Sequence, residues 1–156
     1  MIGGLRKGEG GGITIKSARE LTHMREAGKV VASTIAALSG KIEPGMKTKE
    51  LDVISAKEIK RLGAKPAFLG YLGFPATICV SVNEEIVHGI PGSKVIMEGD
   101  IVSVDVGAVI EGFYGDAAVT IGIGNISTEA QAVIDVTKES LDIAISKVRQ
   151  GIRIGD

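Results

Sequence analysis

Leu21, Met24, Val31, Ile35 and Leu38 recur at helical spacing until Ser39-Gly40 ends the run, and Ser17-Ala18-Arg19-Glu20 ahead of them is a capping-box pattern. The spacing predicts a first helix from Ser17. Glu43-Pro44-Gly45 makes a turn, after which Thr48 is placed to cap a second helix. That helix would bury Leu51, Ile54, Ile59 and Leu62 and stop at Gly63. Residues 64–77 lack periodicity and are rich in Gly, Pro and aromatics, so they read as a loop. Ile78–Val82 reads as a short buried strand. Two longer strands, Ile101–Ile110 and Phe113–Ile121, are joined at Glu111-Gly112 as a hairpin. A last helix would start at the capping-box pattern Thr128-Glu129-Ala130-Gln131 and run to about Val148.

The hairpin pattern carries the clearest chemistry. With Glu111-Gly112 as a two-residue turn, Ile110 faces Phe113, Gly107 faces Asp116 and Asp105 faces Ala118. Residues opposite one another share a face, as do residues two apart on one strand. Asp105 and Asp116 are therefore diagonal neighbours on one face, with Cβ atoms roughly 7 Å apart or less. The other face, Val104, Val106, Ala108, Ile110, Phe113, Ala117, Val119 and Ile121, is apolar and must pack on helices. Asp is disfavoured inside strands, and two like charges at that range raise each other's pKa unless a cation sits between them. Two readings follow. Either the acids hold a divalent metal, or a metal pair about 3.5–4 Å apart, or they stand on a solvent-exposed sheet face, which an antiparallel sheet allows.

Composition narrows the class. The chain has 156 residues, 44% of them hydrophobic, enough for one domain with its own core. A net charge of −1 offers no bulk attraction to nucleic acid or anionic membranes. The single cysteine, Cys79, has no partner for an internal disulfide and reads as a small apolar filler of a buried strand, and the default compartment is cytoplasmic. No stretch has the length of a membrane span. Residues 1–12 form a glycine-rich tail, expected to be flexible. His23 falls off the apolar stripe of the first helix and reads as a surface residue. His88, flanked by Gly89 and Pro91, reads either as a solvated loop histidine or as a group held at the rim of a site. Phe68, Tyr71 and Phe74 concentrate the aromatics in the loop, as surface scaffolding or as pocket. A weak internal repeat also shows: the turn Glu43–Glu50 between two helices is echoed by Arg149–Asp156 after the last helix. The chain is expected to end where a second copy would begin, with Asp156 as a helix N-cap.

Taken in order, the segments Phe68–Pro75, Cys79–Glu84, His88–Gly92, Gly99–Gly107 and Gly112–Ala118 resemble the type I methionine aminopeptidases, pita-bread metallopeptidases. The likeness runs from about Ile13 to Asp156. It implies an α+β fold, the first half-repeat of the pita-bread (creatinase/aminopeptidase) fold, with an antiparallel sheet and helices packed on one face. It implies removal of the N-terminal methionine from nascent proteins with divalent metal ions, two per complete site (Co, Mn, Fe or Zn). In that frame Asp105 would chelate one metal and Asp116 would bridge two. His88 would be a catalytic and substrate-binding residue beside the scissile peptide. Phe68, Tyr71, Phe74 and Cys79 would line the pocket for the methionine side chain. The family also needs one histidine and two glutamates from its second half, so residues 13–156 would be the N-terminal half of a catalytic domain and inactive alone. Val119 stands where the family often has arginine or another polar residue. The complete enzyme is expected to be monomeric and the half chain to self-associate. The other readings are an X-Pro aminopeptidase or prolidase of the same fold, and a non-catalytic peptide-binding protein on that scaffold.

Overall fold

A computed structural model describes residues 14–156; the glycine-rich tail lies outside the described residues. Helix α1 spans Ala18–Ser39. The Ser17 side chain accepts the Glu20 N–H and the Glu20 carboxylate accepts the Ser17 N–H, the full capping box. Helix α2 spans Thr48–Arg61, but its N-cap is Lys47, whose N–H donates to the Glu50 carboxylate at 2.7 Å. Thr48 does not cap. Its hydroxyl is turned away from the helix, accepting the Gly92 N–H at 2.9 Å and tying α2 to the segment after His88.

The spine of the sheet is strand β3, Ile101–Ile110. Strand β4, Phe113–Gly122, runs antiparallel along one edge of it over all ten positions. Strand β2, Ile78–Val82, pairs with Val102–Val106 on the other edge, and the two-residue strand β1, Lys65–Pro66, pairs beyond it at Ala108 and Val109. Glu111 and Gly112 at the β3–β4 turn have φ of +49° and +81°, the left-handed pair of a type I′ turn. That turn fixes the register: Gly107 opposite Asp116 and Asp105 opposite Ala118, as the sequence predicts.

One sheet face is dry. Val80, Val82, Val102, Val104, Val106 and Ala108 are buried there against Val30, Val31 and Leu38 of α1 and Leu51 and Ile59 of α2. Each such side chain removed from water contributes about 1.5–3 kcal/mol before entropy is charged against it. Helix α1 crosses β4 so closely that a Cβ on Gly115 would lie 2.6 Å from the Ala27 backbone. Three expectations are corrected here. Leu21 and Met24 keep 38% and 39% of their surface, and the buried residues of α1 begin only at Ala27. His23 is not a free surface residue: its ring stacks on Phe113 at 5.8 Å, with Glu26 3.4 Å from Nδ1. Helix α3, Thr128–Lys147, is capped by Ser127, one residue before the predicted Thr128. None of its residues is buried, so only α1 and α2 pack on the sheet among the described residues.

Candidate metal centre and peptide site

The second sheet face carries the acids. Its residues alternate with those packed on the helices, so Cys79, Ser81, Ser103, Asp105, Gly107, Asp116, Ala118 and Thr120 share it. Cys79 pairs directly with Asp105 across the β2–β3 ladder, and Ser81 with Ser103. The Ser103 and Thr120 hydroxyls lie 2.8 Å apart.

Asp105 Oδ1 is buried and has no hydrogen-bond partner among the described residues. A carboxylate oxygen in that state costs free energy unless something positive meets it. Burial holds the Asp105 carboxyl above its usual range, and the charge and proximity of Asp116 push it further in the same direction, while His88 acts weakly the other way. Asp116 itself stands at the exposed rim. An orphaned, desolvated oxygen beside a second carboxylate fits a hard divalent cation. Two ligands do not complete a shell, and no group of three or more His, Cys, Asp or Glu capable of holding a metal exists among the described residues.

The raised Asp105 pKa has a definite sign. In the metal-free chain its stabilising contribution is present below the unfolded carboxylate pKa and is lost as pH rises through the higher folded value. Asp105→Asn is therefore expected to match the parent in acid and exceed its melting temperature by a few degrees at pH 7. Thermal scans of the metal-free proteins across that range check this; saturating divalent metal should reverse the order.

Phe68 is placed over the acids' face by β1. Ala67 N–H donates to the Gly107 carbonyl at 3.0 Å, and a Cβ on Gly107 would meet the Phe68 ring 2.8 Å away at Cζ. The ring fills the space that Gly107 leaves open, directly across from Asp116. Cys79 is buried, and its thiol is pushed up to about 11 by that burial and by the charges of Asp105 and Asp116. It stays protonated at neutral pH and acts as a small apolar wall. His88 is exposed and held in a left-handed backbone conformation, φ +60°, uncommon for a residue with a side chain. The neighbouring Gly89 carbonyl accepts the Val80 N–H at 2.9 Å, pinning the segment to the free edge of β2. So Phe68, Cys79 and both aspartates come together, and the segment that bears His88 is fastened to the neighbouring edge of β2. Tyr71 does not join them: it is 68% exposed in a 3-10 turn, Tyr71–Gly73, at the tip of the loop. Phe74 is half-buried at the base of the same turn. Sequence reasoning missed Ser81 and Gly107, which hold His88's segment and admit Phe68; their strand parity was the available signal.

Residues 22–156 match the model of metallopeptidase family M24. The chain is 50% identical over 144 residues to methionine aminopeptidase 1 of Bacillus subtilis, an alignment covering 92% of this chain and 58% of that protein. It superposes on the crystal structure of a methionine aminopeptidase from Thermotoga maritima with a TM-score of 0.90 at 46% identity, over 92% of this chain and 58% of that one. A prolidase from Pyrococcus furiosus shares the fold, with a TM-score of 0.71 at 23% identity over 80% of this chain and 36% of that one.

Proposed function

The chain belongs to metallopeptidase family M24 and has its pita-bread half-repeat fold, and from that premise we propose that it forms the N-terminal half of a methionine aminopeptidase catalytic domain. It spans 58% of the length of the B. subtilis enzyme. The observation that carries the reading is the buried, unpartnered Asp105 Oδ1 beside Asp116.

Asp105 and Asp116 would hold divalent metal, two ions per complete site drawn from Co, Mn, Fe or Zn. When bound, such ions supply Lewis-acid activation of a water and of the peptide carbonyl. Phe68 and the neutral Cys79 offer an apolar wall suited to an unbranched thioether, which Phe74 and Tyr71 of the neighbouring loop would extend around a bound side chain. His88, at the rim, would donate a hydrogen bond to the peptide group after the first residue and steady the charge that develops there. The substrate is then a chain with a free N-terminal methionine. Its source is newly made protein, which places the enzyme in the cytoplasm. No helix among the described residues is long and apolar enough to cross a membrane.

The test is a chimera in which residues 14–156 replace the matching segment of the B. subtilis enzyme. Loaded with manganese or cobalt, it is expected to release methionine from Met-Ala-Ser and to leave Ala-Pro-Phe intact. Preference for the X-Pro peptide would assign a prolidase-like enzyme. Peptide binding without cleavage by a folded, metal-loaded chimera would assign a binding protein.

A further inference from the structure

His88 carries its role on a loop, yet its backbone is held in a strained left-handed conformation, and strain of that kind persists only where neighbours enforce it. The enforcement lies in the next residue. Gly89 is fastened to β2 at two points: its carbonyl accepts the Val80 N–H at 2.9 Å, and its N–H donates to Ser81 Oγ at 3.1 Å. A Cβ on Gly89 would overlap the Val80 carbonyl, so the contact is backbone against backbone. The first fastening is generic edge pairing. The second needs a hydroxyl, and Ser81 is buried with that hydroxyl on the face that bears Asp105.

We propose that Ser81 is the positioning residue for His88, holding its imidazole at the acid face through the Gly89 N–H. The proposal rests on the methionine aminopeptidase reading for its kinetic arm and stands apart from that reading for its structural arm. Valine, alanine or cysteine would satisfy the packing of this strand position equally well. Only a side-chain oxygen also accepts the Gly89 N–H, which would otherwise sit part-buried without a partner. Without that acceptor the loop keeps one fastening, and nothing opposes relaxation of His88 toward ordinary backbone angles.

Ser81→Ala and Ser81→Thr separate this from a packing role. In the 156-residue chain, the Gly89 amide is expected to exchange with solvent about tenfold faster or more in Ser81→Ala, while the Val80 amide stays protected and Ser81→Thr restores the parent rate. In the metal-loaded chimera, kcat for a methionyl peptide is expected to fall roughly 10- to 100-fold in Ser81→Ala, with KM and metal affinity changed less than about threefold, and to recover in Ser81→Thr. Gly89 exchange and kcat both within twofold of the parent in Ser81→Ala would overturn the proposal. So would a loss of kcat that metal affinity follows and threonine does not repair, since that is the mark of general destabilisation. If the parent chimera released no methionine, the functional reading would fail while the exchange data still decided whether Ser81 sets the His88 loop.

Discussion

A polypeptide of residues 1–156, tested by itself with excess manganese or cobalt, should hydrolyse Met-Ala-Ser at least 10²- to 10⁴-fold more slowly than the chimera that supplies the rest of the relative's chain. Hard divalent ions take about six ligands, and the described residues bring two carboxylates together. Water must fill the other positions, so the ions are held weakly. Among the described residues no third acid groups with Asp105 and Asp116, so none is placed to accept the proton of an attacking water. Among the described residues the outer edge of β4 is unpaired, and Val133, Val136, Leu141, Ile143 and Ile145 of α3 are exposed. We expect it to self-associate through those surfaces. A peptide assay read beside sedimentation checks both. Equal turnover by the isolated chain and the chimera would show that these residues contain a complete site.

In the chimera, Asp116→Asn should cut methionine release by about 10³-fold or more at any practical metal concentration, with Asp105→Asn close behind. Each substitution keeps the shape of the side chain and removes the charge on which metal affinity depends. The two differ in what else they change. Asp105 is the half-buried member, with Oδ1 out of water, so its neutral variant also relieves a desolvated charge and should fold at least as stably as the parent without metal. Asp116 is exposed at the rim, and its variant should melt like the parent. Steady-state kinetics over a metal titration, paired with melting curves, distinguishes lost metal from lost fold. A folded Asp116→Asn chimera with parental kcat/KM would remove Asp116 from the site.

The site's geometry was largely legible because a two-residue turn leaves no freedom. Once Glu111-Gly112 is the turn, every partner along β3 and β4 follows, and so does the shared face of Asp105 and Asp116. The capping box at Ser17 was equally local, and so was the extent of β2. What the pattern does not encode is what covers a face. The apolar stripe of α3 looks like that of α1, yet one is bare and the other lies on β4. Thr48 and Lys47 compete for the same cap, and the winner depended on Gly92, more than forty residues away, claiming the threonine hydroxyl. His23 lay off the helical stripe and still met Phe113, because β4 extends beneath the first turns of α1. The placement of Cys79 opposite Asp105 needed the β2–β3 register, which no turn between them fixes. Phe68 could be assigned to the site only by resemblance, since its approach depends on the open space above Gly107.

The claim beneath all of this is that Asp105 and Asp116 together bind a divalent cation. Manganese titrated into the 156-residue chain and followed by amide-resolved NMR tests it without reference to catalysis. At substoichiometric manganese, signals of Cys79, Asp105, Gly107 and Asp116 should broaden first, and Asp105→Asn should abolish that selectivity. Broadening centred instead on the exposed acids of α3, Asp135, Glu139 and Asp142, and unchanged by Asp105→Asn, would contradict the account.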